Sequence, residues 1–206
     1  VLQFADDLVI WAAGKERPKV VSSLAATIEK IDSFLKIKGM ELSIHKSSSM
    51  NFVKSRRSAT EFEAITIKQQ AIPLVTEHKF LGIIIDQSFS GKAHLAFITS
   101  RCRQITNAIS SLAGVWWGGH PTLLLNIYRS ILRSIFEYGH QVFFSKGNLT
   151  KLESLLKLRN KAIRTAMGYR MSTPVNVMLE ESREPPFHTR MELLKRSVHL
   201  QKRRKN

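Results

Sequence analysis

From Leu95 onward the apolar residues keep a helical spacing. Leu95, Ile98, Cys102, Ile105, Ile109 and Leu112 alternate steps of three and four, which puts all six on one face of an α-helix. Gly114 closes that segment, and Pro121 suits the first turn of the next, with Leu124, Ile127, Ile131, Leu132 and Ile135 inward. A third helix is predicted from Leu149 through Leu152, Leu155, Ala162, Ile163 and Ala166 to Gly168, and a fourth over 188–202, ahead of the basic tail QKRRKN. A run of this kind must bury its stripes by packing helix on helix.

Before Gly91 the pattern is mixed. Residues 1–13 read as a short β-hairpin, which the segment GKERP breaks. Val20, Val21, Leu24, Ile28, Ile31 and Leu35 then recur at helical spacing until Gly39. ELSIHKSSSMNFV (41–53) reads as a strand, KSRRS (54–58) as a polar turn, and residues 65–68 as a short strand. TEHKFLGIIID (76–86) reads as a further hairpin, ending in the loop QSFSG. The expected fold class is α+β, with a mixed part over residues 1–91 and an all-helical part over 92–206.

Charge divides at the same place. The whole chain of 206 residues carries a net +16. Residues 1–91 hold 12 Lys and Arg against 10 Asp and Glu, whereas residues 92–206 hold 20 against 6. So basic a second half points to a polyanion, nucleic acid first and an anionic membrane surface second. Arg129 and Arg133 stand four apart, and Lys157, Lys161 and Arg164 follow at steps of four and three. Each set therefore shares a helical face, suited to phosphate neutralisation along a nucleic-acid backbone, although a solvated basic face has the same spacing. Trp116 and Trp117 could stack on bases, but a pair of this kind between helices is better read as a loop anchor.

Other classes are excluded. A single cysteine, Cys102, rules out an internal disulfide framework and a cysteine-rich zinc knuckle, and its place on the apolar stripe makes it a buried thiol. Seven scattered histidines show no metal-ligand spacing. No run approaches the ~18 apolar residues of a membrane span, and the first residues lack signal-peptide features. The expected setting is intracellular, not secreted, with Val1 suggesting a fragment.

The chemistry-bearing feature is VLQFADDLVIWA (1–12), where Asp6 and Asp7 lie between two apolar runs. Two carboxylates on a tight hairpin suit a hard cation such as Mg²⁺. The same dipeptide also occurs at turns because short polar side chains bond the local backbone. With its flanks, FADD resembles the catalytic hairpin of reverse transcriptases, closest to those of non-LTR (LINE-type) retrotransposons and, among them, jockey-like elements. Further segments are similar in order: GMELSIHKSSSMNF (39–52), EHKFLGIIID (77–86), RSILRSIFEYGHQVF (129–143), LRNKAIRTAMG (158–168) and EPPFHTRMELL (184–194).

The resemblance implies an RNA-directed DNA polymerase working on an RNA template, a DNA primer and deoxynucleoside triphosphates, in the nucleus and cytoplasm. Residues 1–91 would be the C-terminal part of the palm, and 92–206 the thumb and the basic region after it. Asp6 and Asp7 would be catalytic carboxylates holding Mg²⁺ in a two-metal site. Phe4 stands where the family usually has Tyr. Lys46 would lie near the incoming triphosphate as a candidate catalytic acid, or else be a solvated strand lysine. Lys79, Phe80, Leu81 and Gly82 would form the primer grip, with Leu81 and the following isoleucines also serving the core. The chain has four aspartates, Asp6, Asp7, Asp32 and Asp86. Asp32 lies in a helical pattern and Asp86 after the grip strand, so the family's other catalytic aspartate, with the fingers, is expected upstream of Val1. The fragment would then be inactive alone. The alternative is a non-catalytic, basic nucleic-acid-binding remnant of a decayed or domesticated element.

Overall fold

The computed structural model describes residues 1–52, 65–67, 70–114, 117–140 and 149–203. Strands β1 (Leu2–Phe4) and β2 (Asp7–Val9) pair antiparallel, with Leu2 opposite Val9 and Phe4 opposite Asp7. Helix α1 (Arg17–Ile37) starts with a proline in its first turn, where the missing N–H costs nothing. It ends as the Gly39 N–H reaches the Lys36 carbonyl and the Met40 N–H the Leu35 carbonyl, a Schellman closure.

The strand expected over 41–53 does not form over its described residues, 41–52. Ile44–Lys46 is a 3₁₀ turn instead, and Ser49 makes an isolated parallel bridge to Leu74. Local serine bonding explains the difference. The Ser47 hydroxyl donates to the Ser43 carbonyl at 2.8 Å, giving the backbone an alternative to a ladder. The short strands β3 (Thr66–Ile67) and β4 (Gln70–Ala71) pair antiparallel. The polar turn expected at 54–58 lies outside the described residues. Strands β5 (Glu77–Phe80) and β6 (Ile83–Asp86) form a two-stranded sheet joined by Leu81 and Gly82.

Five helices follow among the described residues. Helix α2 is Lys92–Leu112, and α3 is a continuous helix over 121–137 whose middle, Tyr128–Arg133, is π-helical. Helices α4 (Leu149–Met167), α5 (Val175–Glu181) and α6 (Phe187–Arg203) complete the fold. The fold is thus α+β, with small antiparallel sheets and predominant helix. No described helix is long and apolar enough to cross a membrane.

The chain divides into two compact units, Val1–His78 and Lys79–Asn206. The second holds the core: Leu95, Ile98, Cys102 and Ile109 of α2, Leu124, Leu125, Tyr128, Leu132 and Phe136 of α3, and Leu155, Ile163 and Ala166 of α4 are buried together. Each large side chain so buried contributes about 1.5–3 kcal/mol. The inward set of α4 follows the expected spacing, and that of α2 follows it as far as Ile109, while Leu112, expected on the same face, is 45% exposed at the helix end; α3 departs from it within the helix. Ile131, expected inward, is 46% exposed, and Tyr128, Leu132 and Phe136 carry the buried face. The wider π turn shifts the stripe to steps of four. The first unit buries little: Ile28 and Ile72 are its buried apolar residues among those described, while Phe4, Trp11, Phe34 and Ile37 are exposed.

Candidate functional site

The acidic pair sits at the turn of the first hairpin. Ala5 and Asp6 connect β1 to β2, and Ala5 has φ +53°, as a hairpin-compatible two-residue turn requires at its first position. The Gln3 side-chain amide donates to the Ala5 carbonyl at 3.0 Å and braces the turn. Asp6 closes the turn and Asp7 opens β2, both exposed. Among the described residues no group of three or more His, Cys, Asp or Glu could hold a metal ion. Two adjacent carboxylates are hard oxygen donors, the ligand type that a hydrated Mg²⁺ accepts. They do not by themselves make a two-metal site. Lys46 is exposed at the end of its 3₁₀ turn rather than on a strand.

The segment Lys79–Gly82 is the tip of the β5–β6 hairpin. Leu81 has φ +46° and Gly82 φ +80°, so both connecting residues are left-handed, as a type I′ turn demands. Glycine takes this conformation freely, but leucine is held there at a cost of roughly 1–2 kcal/mol. Two contacts fix it. The Tyr138 hydroxyl donates to the Leu81 carbonyl at 2.5 Å, and the Lys79 ammonium lies 5.0 Å from the centre of the Phe97 ring. Behind the tip, the Ile84 N–H donates to Nδ1 of buried His94 at 3.3 Å. Burial lowers the His94 pKa, a hydrogen bond with the Tyr138 backbone opposing it, and the net direction is down.

Asp86 ends β6 and organises the start of α2. Its carboxylate accepts from the backbone N–H groups of Ser88, Ser90 and Gly91 and from the hydroxyls of Ser88 and Ser90, at 2.6–3.1 Å. Burial alone would raise its pKa, but these bonds outweigh burial and leave it lowered. This explains the place of Asp86 without any metal role.

The five candidate nucleic-acid-binding residues of the helical half are not equivalent. Arg129 donates from Nε to Glu184 at 3.0 Å and from Nη2 to the Ser182 carbonyl at 2.7 Å, and Arg133 reaches the same Glu184 oxygen at 3.1 Å. The Tyr128 hydroxyl and buried Arg159 lie against the second oxygen, at 3.3 and 3.9 Å. Burial pushes the Tyr128 phenol up to about 12, with Arg159 and Glu184 pulling in opposite directions. A neighbouring pair, Arg190 and Glu137, bonds in bidentate fashion at 2.8 and 3.1 Å. Arg129 and Arg133 thus serve an internal carboxylate, and a phosphate would have to share them with it. Arg164 spends one N–H on the Thr173 carbonyl. Lys157 and Lys161 are exposed, one helical turn apart on α4, and among the described residues neither forms an ion pair. Trp116 lies outside the described residues, and Trp117, expected as an anchor, is 73% exposed over Gly114. Cys102 is a buried thiol, pushed up to about 12 by desolvation.

Sequence reasoning did not foresee Glu184, Arg159, Tyr138 or His94. Only the tertiary fold brings them to their partners. The chain matches no protein-family model, and neither a curated protein nor a solved structure matches it significantly.

Proposed function

We propose that this chain is the C-terminal part of the reverse transcriptase domain of a non-LTR, jockey-like retrotransposon, an RNA-directed DNA polymerase extending a DNA primer on an RNA template. The observation that carries this reading is the β1–β2 hairpin, which presents Asp6 and Asp7 together at its turn with apolar strands on either side. The left-handed turn at Leu81 and Gly82 supports it, because a rigid tip behind a lysine suits placement of a primer strand. So do the ordered sequence resemblances along the chain.

Within this reading Asp6 and Asp7 would hold Mg²⁺, which would supply charge stabilisation for phosphoryl transfer. Lys46, exposed at the end of its 3₁₀ turn, would offer a proton at Nζ to the departing pyrophosphate. Lys79 and Leu81 hold the primer end. Lys157 and Lys161 neutralise backbone phosphates. A working two-metal site requires a further carboxylate from outside residues 1–206. The exposed apolar side chains flanking the acidic turn, Leu2, Phe4 and Trp11, are the surface that such a neighbouring strand would cover.

A second reading has its own support. The helical half is strongly basic, and Lys157 and Lys161 stand exposed on one face of α4, which suits binding of a nucleic-acid backbone without any catalytic role. Three measurements divide the readings. Mn²⁺ titration of the chain followed by electron paramagnetic resonance should show weak binding that Asp6→Asn/Asp7→Asn abolishes. Extending the coding sequence 5′ of the Val1 codon should then reveal an open frame with an Asp on an apolar strand, and primer extension by that longer chain should be lost in Asp6→Ala. Mn²⁺ binding indifferent to both aspartates would refute the polymerase reading.

A further inference from the structure

We propose that Tyr138 is a positioning residue that sets the tip of the β5–β6 hairpin for contact with the 3′ end of a nucleic-acid strand; the proposal rests on the polymerase reading of that hairpin. Three observations converge on the tip. Leu81, a branched residue in the left-handed region, is 36% exposed, so solvent shielding does not hold it there. Its carbonyl receives the Tyr138 hydroxyl from 57 residues away in sequence. The ring of the same tyrosine lies along the turn, for a side chain at Gly82 would meet Tyr138 Cε1 at 3.4 Å.

The next residue fixes the approach. Gly139 has φ +67°, and a Cβ there would stand 3.2 Å from both His94 Nε2 and Ile83 Cδ1. The end of α3 can therefore close onto β6 only where it has no side chain, and that close approach aims the preceding tyrosine at the tip. His94 holds the strand behind through the Ile84 N–H. The tip is thus over-determined, exposed and locally strained, a combination that marks ligand-contacting turns.

The chemistry at the tip narrows the ligand. Lys79 offers a cation, Leu81 an apolar surface and Gly82 a bare backbone within four residues. A strand end presents both phosphate and the apolar face of a sugar, and contacts of this kind position without reading sequence. Tyr138 touches neither group in this arrangement; it acts through the Leu81 carbonyl.

The test is Tyr138→Phe in the full 206-residue chain, which removes one hydroxyl and keeps the ring. Fluorescence anisotropy would compare a labelled RNA–DNA duplex carrying a recessed DNA 3′ end with a blunt duplex of equal length, and hydrogen–deuterium exchange would follow residues 77–86. The wild-type chain should prefer the recessed end. The variant should lose roughly two- to tenfold of that preference, the range one neutral hydrogen bond supplies, with faster exchange over 77–86 and unchanged affinity for the blunt duplex. A merely structural tyrosine would lower the melting temperature and leave the ratio between the two duplexes alone. An unaltered ratio overturns the proposal, whether or not exchange changes. Failure of the wild-type chain to distinguish the ends would instead strike the polymerase reading, and is recognisable because it precedes any substitution.

Discussion

At the scale of single residues, three buried groups shape the stability of the helical unit: Glu184, His94 and Asp86. Glu184, with 1% of its side chain exposed, takes charge-assisted hydrogen bonds from Arg129 and Arg133 and lies within ion-pair distance of Arg159. Removing the carboxylate leaves buried Arg159 without its counter-charge beside the half-buried Arg129 and Arg133, and breaking a buried pair costs about 3–5 kcal/mol. Glu184→Gln should lower the urea unfolding free energy by that amount, and a loss under ~1 kcal/mol would mean that the arginines simply turn to water. His94 sets a pH dependence. Its folded pKa is lowered by burial from the ordinary 6.5, and its Nδ1 must stay unprotonated to accept from Ile84. The unfolded chain therefore binds the extra proton first. Stability should be full above pH ~6.5 and decline as pH falls from there toward the folded value. His94→Asn, which keeps an acceptor near the Nδ1 position, should flatten that decline in urea melts at successive pH values. Asp86, lowered from its ordinary 3.8, follows the same sign in its own window: its contribution is present above the ordinary carboxylate pKa and lost as pH falls through the lowered one.

At the scale of elements, periodicity revealed what local spacing can encode and missed what depends on distant partners. The stripes of α2 and α4 were readable because Ile98, Cys102, Ile109, Leu155 and Ile163 each contribute to a face of regular pitch. The stripe of α3 was misread at Ile131 because the π turn alters the pitch, and Tyr128 becomes central through bonds to Glu184 and Arg159 that no spacing reveals. The strand over 41–53 failed where serine hydroxyls captured the backbone. Helix α5 spans only seven residues, about two turns, too short for its period to stand out, yet its end delivers Glu184. The Arg183 N–H bonds to the Glu180 carbonyl and the Glu184 N–H to the Leu179 carbonyl, with Arg183 at φ +53°. This is a Schellman closure with arginine where glycine is usual. The candidate site was legible in part: the acidic turn and the hairpin tip are local, whereas the internal pairing of Arg129 and Arg133 is tertiary. Arg183→Gly should relieve the left-handed cost of roughly 1–2 kcal/mol, less glycine's greater unfolded freedom of roughly 0.5–1. The expected gain is therefore about 0.5–1 kcal/mol in chemical denaturation. A loss would show that the Arg183 side chain holds a contact worth more than the strain.

At the scale of the molecule, the net charge of +16 overstates the cations available to a polyanion. The structure divides them by partner: Arg129, Arg133, Arg159 and Arg190 neutralise Glu184 and Glu137, and Arg164 serves the Thr173 carbonyl. Lys157 and Lys161 are exposed and unpaired among the described residues. Counterion release makes this division measurable, because each phosphate neutralised on a duplex steepens the slope of log affinity against log salt by about 0.9. Lys157→Ala/Lys161→Ala should therefore flatten the slope for an RNA–DNA duplex by about 1.8 without shifting the melting temperature, since neither side chain holds the fold. Arg133→Ala should do the opposite. It unbalances Glu184 and Glu137, lowers the melting temperature and leaves the slope nearly unchanged. If Arg133→Ala instead flattened the slope as much as the lysine pair, with the fold intact, the guanidinium would be shared with phosphate. The Glu184 cluster would then belong to the nucleic-acid surface as well as to the core.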